Sequence, residues 1–250
     1  MSGGTRPAVL WLHGYTMDST TWEPLWELLP GFRHIGVDLP GHGTAEPIPA
    51  GLTLPALAAR IADRARAEGT ERMVALSYGS SVALQIAVDH PDVTERLVLA
   101  APTLAGAPPE PHARRRYQQL AMAKRITGPG EQLADLWMAS PPDIFNGTER
   151  HPRLRAALRE VIRKHSWAEL DDGSMNALTA HHHSREDLRR IRARTLVVIG
   201  DEDMPTFRRN ARWLAEDVAE CEVLSLPETG HLPLLERPEA VAGALARHLA

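Results

Sequence analysis

The feature that most constrains the fold is a regular alternation of short apolar runs with segments of helical periodicity. Most of the six runs are apolar throughout, which is typical of strands buried on both faces of a parallel sheet. The six runs are residues 8–14, 34–41, 72–77, 96–102, 195–203 and 221–231. Helical patterns lie between them at 54–69, 80–90, 206–219 and 238–249. The alternation therefore predicts an α/β fold, with a mainly parallel sheet of about six strands and right-handed crossovers.

One segment interrupts this alternation. No strand-like run occurs from about Leu104 to Ile191, where turn-forming sequences separate four helical patterns. The four predicted helices are residues 110–127, 130–139, 152–170 and 173–188. A helical block between two strands has its natural place over the carboxyl ends of the strands, where α/β folds build their sites. The predicted organisation is a core of residues 1–103 and 192–250, with a helical cap inserted at 104–191.

Composition and charge narrow the class of protein. The net charge of −4 gives no basic surface of the kind that attracts nucleic acids or anionic membranes. A single cysteine, Cys221, excludes an internal disulfide and is compatible with a reducing compartment. No apolar stretch approaches the roughly 18 residues of a membrane span, and the first residues lack a charged-then-apolar leader. We therefore expect a soluble, cytoplasmic protein that binds neither nucleic acid nor membranes, and its oligomeric state is left open.

A serine stands at the abrupt junction of a predicted strand and a predicted helix. The run 72–77 ends at Ser77, and helical periodicity begins almost at once. Such a turn brings the flanking backbone close together, so its neighbours must be small, and Ala75 and Gly79 stand two residues to either side. The following helix would direct its free N–H groups and the positive end of its dipole at the serine oxygen. These are the physical requirements of a nucleophile elbow.

From about residue 8 to its C-terminus the chain resembles the α/β-hydrolase superfamily, specifically compact members with a serine nucleophile and a helical cap. It departs from the usual G-x-S-x-G motif at Ala75, and Leu76 stands where many relatives have histidine. A methyl group is the smallest possible addition, so we expect the turn to survive, slightly tightened. Relatives usually begin with an antiparallel hairpin, but only seven residues precede Ala8. We therefore expect a sheet that begins at 8–14 and is all parallel.

The resemblance implies a catalytic triad in the order serine, acid, histidine. Asp203 lies three residues past Gly200, matching the family's G-x-x-D turn, and His231 opens a segment similar to the family's G-H-x-x-x-x-E-x-P. Both residues follow predicted strands, so they can converge with Ser77 at one edge of the sheet. A serine hydroxyl acts as a nucleophile at neutral pH only when a base accepts its proton. The base in turn needs an acid that orients it. Asp201 is an alternative acid, and structural roles for Asp203 and His231 remain the competing interpretation.

The loop after the first strand resembles the family's H-G-x loop. Carried over by position, the oxyanion donors are the backbone N–H groups of Tyr15 and Tyr78. His13 is expected to be a structural hydrogen-bonding residue rather than a catalyst. Asp38 and His42, in another sequence that matches a family loop, are assigned to the architecture.

The resemblance implies a serine hydrolase acting on a small-molecule acyl substrate, with a carboxylic ester or lactone as first choice and a thioester second. Alternatives are a carbon–carbon bond hydrolase, a lyase or cyclase of natural-product biosynthesis on the same scaffold, and a ligand-sensing receptor. A serine at 77 disfavours dehalogenases and common epoxide hydrolases, which have aspartate there.

Large apolar cap residues predict a bulky, mostly hydrophobic substrate. Candidate pocket residues are Trp137, Met138, Trp167 and Met122, although each of them could equally pack within the cap. No cofactor and no metal are expected. Residues 181–183 are consecutive histidines, which point in different directions on a helix and share a metal poorly. The glycine-containing segments lack the context of a phosphate-binding loop.

Overall fold

The computed structural model describes residues 6–250, and its centre is one six-stranded sheet in the order β2-β1-β3-β4-β5-β6. All five strand pairs are parallel. The strands are β1 (Ala8–Leu12), β2 (Arg33–Val37), β3 (Arg72–Leu76), β4 (Arg96–Ala100), β5 (Arg194–Gly200) and β6 (Cys221–Leu226). The predicted α/β fold with about six parallel strands is confirmed. Within residues 6–250 the sheet begins at β1, whereas the part of that prediction that concerns residues 1–5 lies outside the described residues.

Twelve α-helices accompany the sheet in the described part of the chain. They are α1 (Glu23–Glu27), α2 (Leu54–Glu68), α3 (Tyr78–Asp89), α4 (Ala113–Thr127), α5 (Glu131–Met138), α6 (Pro152–Lys164), α7 (Glu169–Asp172), α8 (Asn176–Thr179), α9 (Arg185–Arg190), α10 (Pro205–Asp217), α11 (Pro233–Glu236) and α12 (Pro238–Leu249). Short 3₁₀ helices lie at Ser19–Trp22, Pro91–Val93 and Asn146–Arg150. Within residues 6–250, no helix is both long and apolar enough to cross a membrane.

The apolar runs at the centre of the sheet are buried because helices cover both faces. All five residues of β1 are buried, as are the last four residues of β3 and of β4. Helix α3 follows β3 directly and is buried from Tyr78 to Val88. Helix α2 packs beside α3, with its N-terminus capped by Thr53 and its C-terminus ended by Gly69 at φ 62°. This dense packing fixes the β3–α3 junction, where Ser77 lies.

The segment between β4 and β5 contains helices α4–α9 and no strand. We call residues 104–191 the insertion. Two of its predicted helices are shorter than expected. The predicted helix 152–170 ends at Lys164 and resumes as α7, because Trp167 turns the chain with φ 57° and is fully buried. The predicted helix 173–188 is divided into α8 and α9, and α9 begins at a capping box made by Ser184 and Asp187.

Candidate active site

Ser77 occupies a strained turn between β3 and α3. Its backbone has φ 50° and ψ −114°, a region that a residue with a side chain rarely adopts. Its N–H donates to the Ala100 carbonyl at 2.9 Å, and its own carbonyl accepts from Ser80 N at 2.9 Å. Gly79 lets α3 approach the end of β1, because a Cβ there would lie 2.6 Å from two backbone carbonyl oxygens of the β1 end. The turn forms with Ala75 in the place of the family's first glycine.

A continuous line of hydrogen bonds joins Ser77 to His231 and Asp203. Ser77 Oγ lies 3.0 Å from His231 Nε2, and His231 Nδ1 lies 2.9 Å from Asp203 Oδ1. The Asp203 carboxylate can only accept hydrogen bonds, so a neutral His231 must carry its proton on Nδ1. Its Nε2 is then free to accept a hydrogen bond from the Ser77 hydroxyl. Asp203 Oδ1 also accepts from Met204 N at 2.7 Å, which fixes the carboxylate. Both Asp203 and His231 are buried, at 2% and 1% exposure.

The alternative acid lies elsewhere in the same loop. Asp201 is exposed, and its Oδ1 accepts a long hydrogen bond, 3.4 Å, from Thr229 N. Asp203 is therefore the carboxylate that the structure brings to His231.

Two residues that the sequence reasoning did not single out hold His231 in place. The buried Glu236 carboxylate accepts from the N–H groups on both sides of the histidine, Gly230 at 2.7 Å and Leu232 at 3.0 Å. The ring of Phe207, on α10, packs 4.1 Å from the imidazole centroid. Glu236 is the glutamate of the G-H-x-x-x-x-E-x-P pattern, so the motif carried a signal for it, whereas nothing local marked Phe207.

The two predicted oxyanion donors lie at the ends of β1 and β3. Tyr15 follows β1 in a turn that the bond from Met17 N to the Gly14 carbonyl closes at 3.2 Å. Tyr78 is the first residue of α3, where helix geometry leaves N–H groups without an intrahelical partner. Neither N–H donates a hydrogen bond to another group of residues 6–250. Both amides are therefore available to an acceptor, and their catalytic role stays a prediction.

His13 and Asp38 support the loops around the site. Buried His13 accepts from Leu39 N at its Nε2 and therefore donates from Nδ1 to the Gly14 carbonyl. Burial lowers the pKa of His13, which keeps this tautomer neutral. Asp38 accepts from Ser19 N and Thr44 N, so it joins two loops.

His42 packs among rings from both parts of the chain. Its Nδ1 donates to the Pro40 carbonyl, and its ring centroid lies 4.8 Å from that of His165 in the insertion. Burial lowers the pKa of His42 to about 3, so its imidazole is neutral.

Three of the four predicted pocket residues are buried in the insertion, and two of them lie close to the loop after β1. Trp137, Met138 and Trp167 are 3%, 5% and 0% exposed. The rings of Trp137 and Trp167 lie 5.5 and 6.2 Å from that of Tyr15. Met122 does not join them, since it faces outward from α4 and is 68% exposed. The weak apolar periodicity of α4 does not fix which of its faces packs inward.

Sequence reasoning also missed a buried carboxylate in the insertion. Glu169 is 7% exposed and accepts from the Tyr15 hydroxyl at 2.5 Å and from His165 Nε2 at 3.1 Å. Burial alone would raise the pKa of Glu169, but the hydrogen bonds from His165 and Tyr15 outweigh burial and lower it. Burial and the adjacent carboxylate raise the pKa of Tyr15, which keeps the hydroxyl protonated as a donor. Glu169 and His165 also line a cavity of about 240 Å³ beside the core loop 41–48.

The three consecutive histidines, residues 181–183, lie in the insertion just before α9. His183 is buried, where its Nδ1 accepts from Ala105 N and its Nε2 donates to Gln85 Oε1, so it joins the insertion to α3. Across residues 6–250 no group of three or more histidine, cysteine or acidic side chains is placed to hold a metal ion.

Comparison with known proteins agrees with the fold. The profile of the alpha/beta hydrolase family matches residues 9–244. The pimeloyl-(acyl-carrier protein) methyl ester esterase of Chromobacterium violaceum is 28% identical, over 98% of this chain and 95% of its own length. A thermophilic esterase from Thermogutta terrifontis superposes with a TM-score of 0.80 at 27% identity, covering 98% of this chain and 89% of its own. The enol-lactonase of Burkholderia xenovorans shares the fold, with a TM-score of 0.80 at 22% identity over 100% and 93% of the two chains. The chain belongs to the alpha/beta hydrolase family and is a hydrolase.

Proposed function

We propose that this hydrolase cleaves carboxylic esters or lactones, with thioesters as a further substrate class, by nucleophilic catalysis at Ser77. The observation that carries the proposal is the hydrogen-bonded line from Ser77 through His231 to Asp203. Each of its members follows the carboxyl end of a parallel strand, and Ser77 is held in a strained turn at the start of a helix. The names of the related esterases support an ester as the bond that is cleaved.

The geometry suggests a role for each group. His231 Nε2 accepts the hydroxyl proton while Ser77 Oγ attacks the substrate carbonyl carbon. The N–H groups of Tyr15 and Tyr78 hold the resulting oxyanion, and each such donor is worth about 100- to 1,000-fold in kcat. Collapse of this intermediate expels the alcohol, which takes its proton from His231, and leaves the acyl group on Ser77 Oγ. Water then attacks this acyl-enzyme while His231 accepts its proton. The acid is released, and Ser77 recovers its proton from His231. Asp203 keeps His231 in the required tautomer and stabilises the imidazolium.

The test of the function is the Ser77→Ala variant. Loss of a triad nucleophile lowers kcat on the order of a million-fold, so hydrolysis of a small activated ester should fall to background. Labelling by a fluorophosphonate probe should disappear as well. Ser166→Ala, at an exposed serine of the insertion, is the matched control and should keep both. Full labelling of the Ser77→Ala protein would assign the nucleophile to another serine and reject the proposed mechanism.

Reaction in ¹⁸O-labelled water separates hydrolysis from the other chemistries of the scaffold. Hydrolysis places one labelled oxygen in the acid product. A product rearranged without labelled oxygen would favour a lyase or cyclase, and binding with turnover slower than ligand release would favour a receptor.

We further propose that the preferred substrate is bulky and mostly apolar. Trp137 and Trp167 support this preference, because their large apolar rings stand beside the loop that carries a proposed oxyanion donor. Met138 is the buried neighbour of Trp137 in α5. Each methylene that enters an apolar pocket contributes roughly 1 kcal/mol, so kcat/KM should rise with acyl or ring size across a panel of esters. Acetyl esters that outperform every larger ester would contradict the preference.

A further inference from the structure

The side chain of Tyr15 is held mainly by the insertion, although its backbone directly follows the core strand β1. Its hydroxyl donates to Glu169 Oε1 at 2.5 Å. Its ring meets one core ring, His42, edge-on. It also meets four rings of the insertion edge-on, at centroid distances from 5.5 to 6.2 Å: Tyr117, Trp137, His165 and Trp167. The residue whose N–H is the proposed oxyanion donor therefore has most of its side-chain contacts in the insertion.

The next residue is also bound to the insertion. Thr16 is the third residue of the turn and has φ 62°. Type II turns favour glycine at this position, and a β-branched residue there is an outlier. Trp137 Nε1–H donates to Thr16 Oγ1 at 2.8 Å, and this hydroxyl donates to the Tyr15 carbonyl at 2.7 Å. Thr16 is 1% exposed, so water does not readily replace the indole if that bond is broken.

We infer that Glu169 and Trp137 are positioning residues, which hold the Tyr15 N–H in the orientation that stabilises the oxyanion. The inference rests on the proposed function, because it concerns the oxyanion of that same reaction. A preorganised donor contributes fully only when it is aimed at the charge that develops in the transition state, and displacements near 1 Å cost on the order of 100-fold. Breaking either hydrogen bond therefore slows the chemical step while Ser77, His231 and Asp203 keep their geometry.

The test uses the full chain with substitutions at both ends of these hydrogen bonds. Glu169→Ala and Tyr15→Phe each remove the bond between the two side chains, and Tyr15→Phe keeps the backbone N–H. Trp137→Phe removes the indole donor to Thr16. Each variant should lower kcat by about 10- to 100-fold, a partial loss of one donor, with KM changed less than about threefold. If Glu169→Ala does not fold, Tyr15→Phe still tests the same bond.

Binding of phenylboronic acid gives a readout that a purely structural role would not move. This inhibitor adds to Ser77 Oγ and forms a tetrahedral boronate with an oxygen in the oxyanion position. Its inhibition constant should rise in each variant by the factor by which kcat falls. Glu169→Gln keeps an oxygen acceptor for the Tyr15 hydroxyl and should restore kcat to within about threefold of the original protein. An unchanged inhibition constant, or a rise in KM alone, would overturn the inference.

Arg155→Met is the matched control within the insertion. Arg155 donates to the Phe145 carbonyl, to Thr148 and to the Met138 carbonyl, and makes no hydrogen bond to residues 15 or 16. Arg155→Met should leave kcat within about twofold of the original protein. A loss equal to that of Glu169→Ala would mean that these variants act through the general stability of the insertion.

Activity that survives Ser77→Ala would reject the proposed function itself. Activity that depends on Ser77 but tolerates Glu169→Ala, Tyr15→Phe and Trp137→Phe would reject the positioning role alone.

Discussion

The turn at Ser77 and the loop after β1 each hold a non-glycine residue at a positive φ, but different parts of the molecule stabilise these two strained residues. Ser77 has φ 50° and Thr16 has φ 62°. The Ser77 turn is enclosed by the core, where the Ala100 carbonyl accepts from its N–H and the buried helix α3 begins immediately after it. The loop after β1 is held by Trp137 and Glu169 of the insertion. One half of the proposed site, Ser77 with Asp203 and His231, is therefore held by the core, and we call it the core half. The other half, Tyr15 and Thr16, depends on the position of the insertion, and we call it the insertion half.

Strain of this kind costs about 1–3 kcal/mol per residue and persists only where the surroundings over-determine the backbone. At Ser77 the surroundings are the central strands and α3, which cannot shift without disturbing the core. At Thr16 they include Trp137, and at the neighbouring Tyr15 they include Glu169, both from a segment outside the sheet. The comparison predicts that changes in the core half act on Ser77 and His231, the proposed nucleophile and base. Changes in the insertion should act on Tyr15, a proposed oxyanion donor.

The largest expected effect in the core half is at Asp203. Asp203→Asn should lower kcat on the order of ten-thousandfold, because asparagine favours the wrong tautomer of His231. Asp201→Asn should change kcat less than about threefold, since the exposed Asp201 does not contact the histidine. Steady-state kinetics on an activated ester measure both variants. Similar losses at the two positions would mean that the 2.9 Å bond from His231 to Asp203 does not govern catalysis.

Gly79 provides the next largest effect and tests how rigidly the core holds the turn. A Cβ at this position would lie 2.6 Å from backbone oxygens at the end of β1, which cannot move independently of the sheet. Gly79→Ala should lower the free energy of unfolding by about 3 kcal/mol, the upper end of overpacking costs, and should also reduce activity. Gly31→Ala is the control, because a Cβ at Gly31 would have no neighbour within 4 Å. Urea unfolding of both proteins decides the point, and equal stabilities would show that the turn adapts.

Thr16→Val tests the insertion half. Valine keeps the branched shape but leaves the buried Trp137 Nε1–H without its acceptor, which should lower the free energy of unfolding by about 1–2 kcal/mol. Adding Trp137→Phe removes the stranded donor, so the two changes should cost less together than the sum of the single changes. Strict additivity of the unfolding free energies would argue against the hydrogen bond between these residues.

The smallest effect is expected at Ala75. Ala75→Gly restores the glycine of the family motif in a buried strand, where glycine costs roughly 0.5–1 kcal/mol relative to alanine. The free energy of unfolding should fall by that amount, and kcat should stay within about threefold. A gain of tenfold or more in kcat would indicate that the methyl group of Ala75 distorts the Ser77 turn.

The core half could be predicted from the sequence because its signals are local. Continuous apolar runs marked the central strands, and Ser77, Asp203 and His231 each follow such a run. The strand ends were less accurate: the run 221–231 forms a strand only to Leu226, because Pro227 has no N–H for the sheet ladder and Glu228 turns the chain with φ 51°.

The insertion half could not be predicted in the same way. Residues 165–168 contain neither glycine nor proline, yet α6 ends before them, and the turn is set by the buried ring of Trp167. Glu169 is an ordinary helix residue in sequence. Its burial is compensated by Tyr15, which lies 154 residues away along the chain, and periodicity carries no information about such a partner.

Gly147 has a consequence for how this protein can diverge or be engineered. A Cβ at this insertion residue would overlap the carboxylate of Glu236, the group that holds the backbone on both sides of His231. Helical insertions are attractive units for exchange between relatives when a new substrate range is wanted. Any insertion transplanted onto this core must bring a residue without a side chain to that spot. A chimera that lacks it would displace His231, the proposed base, while the sheet itself stays intact.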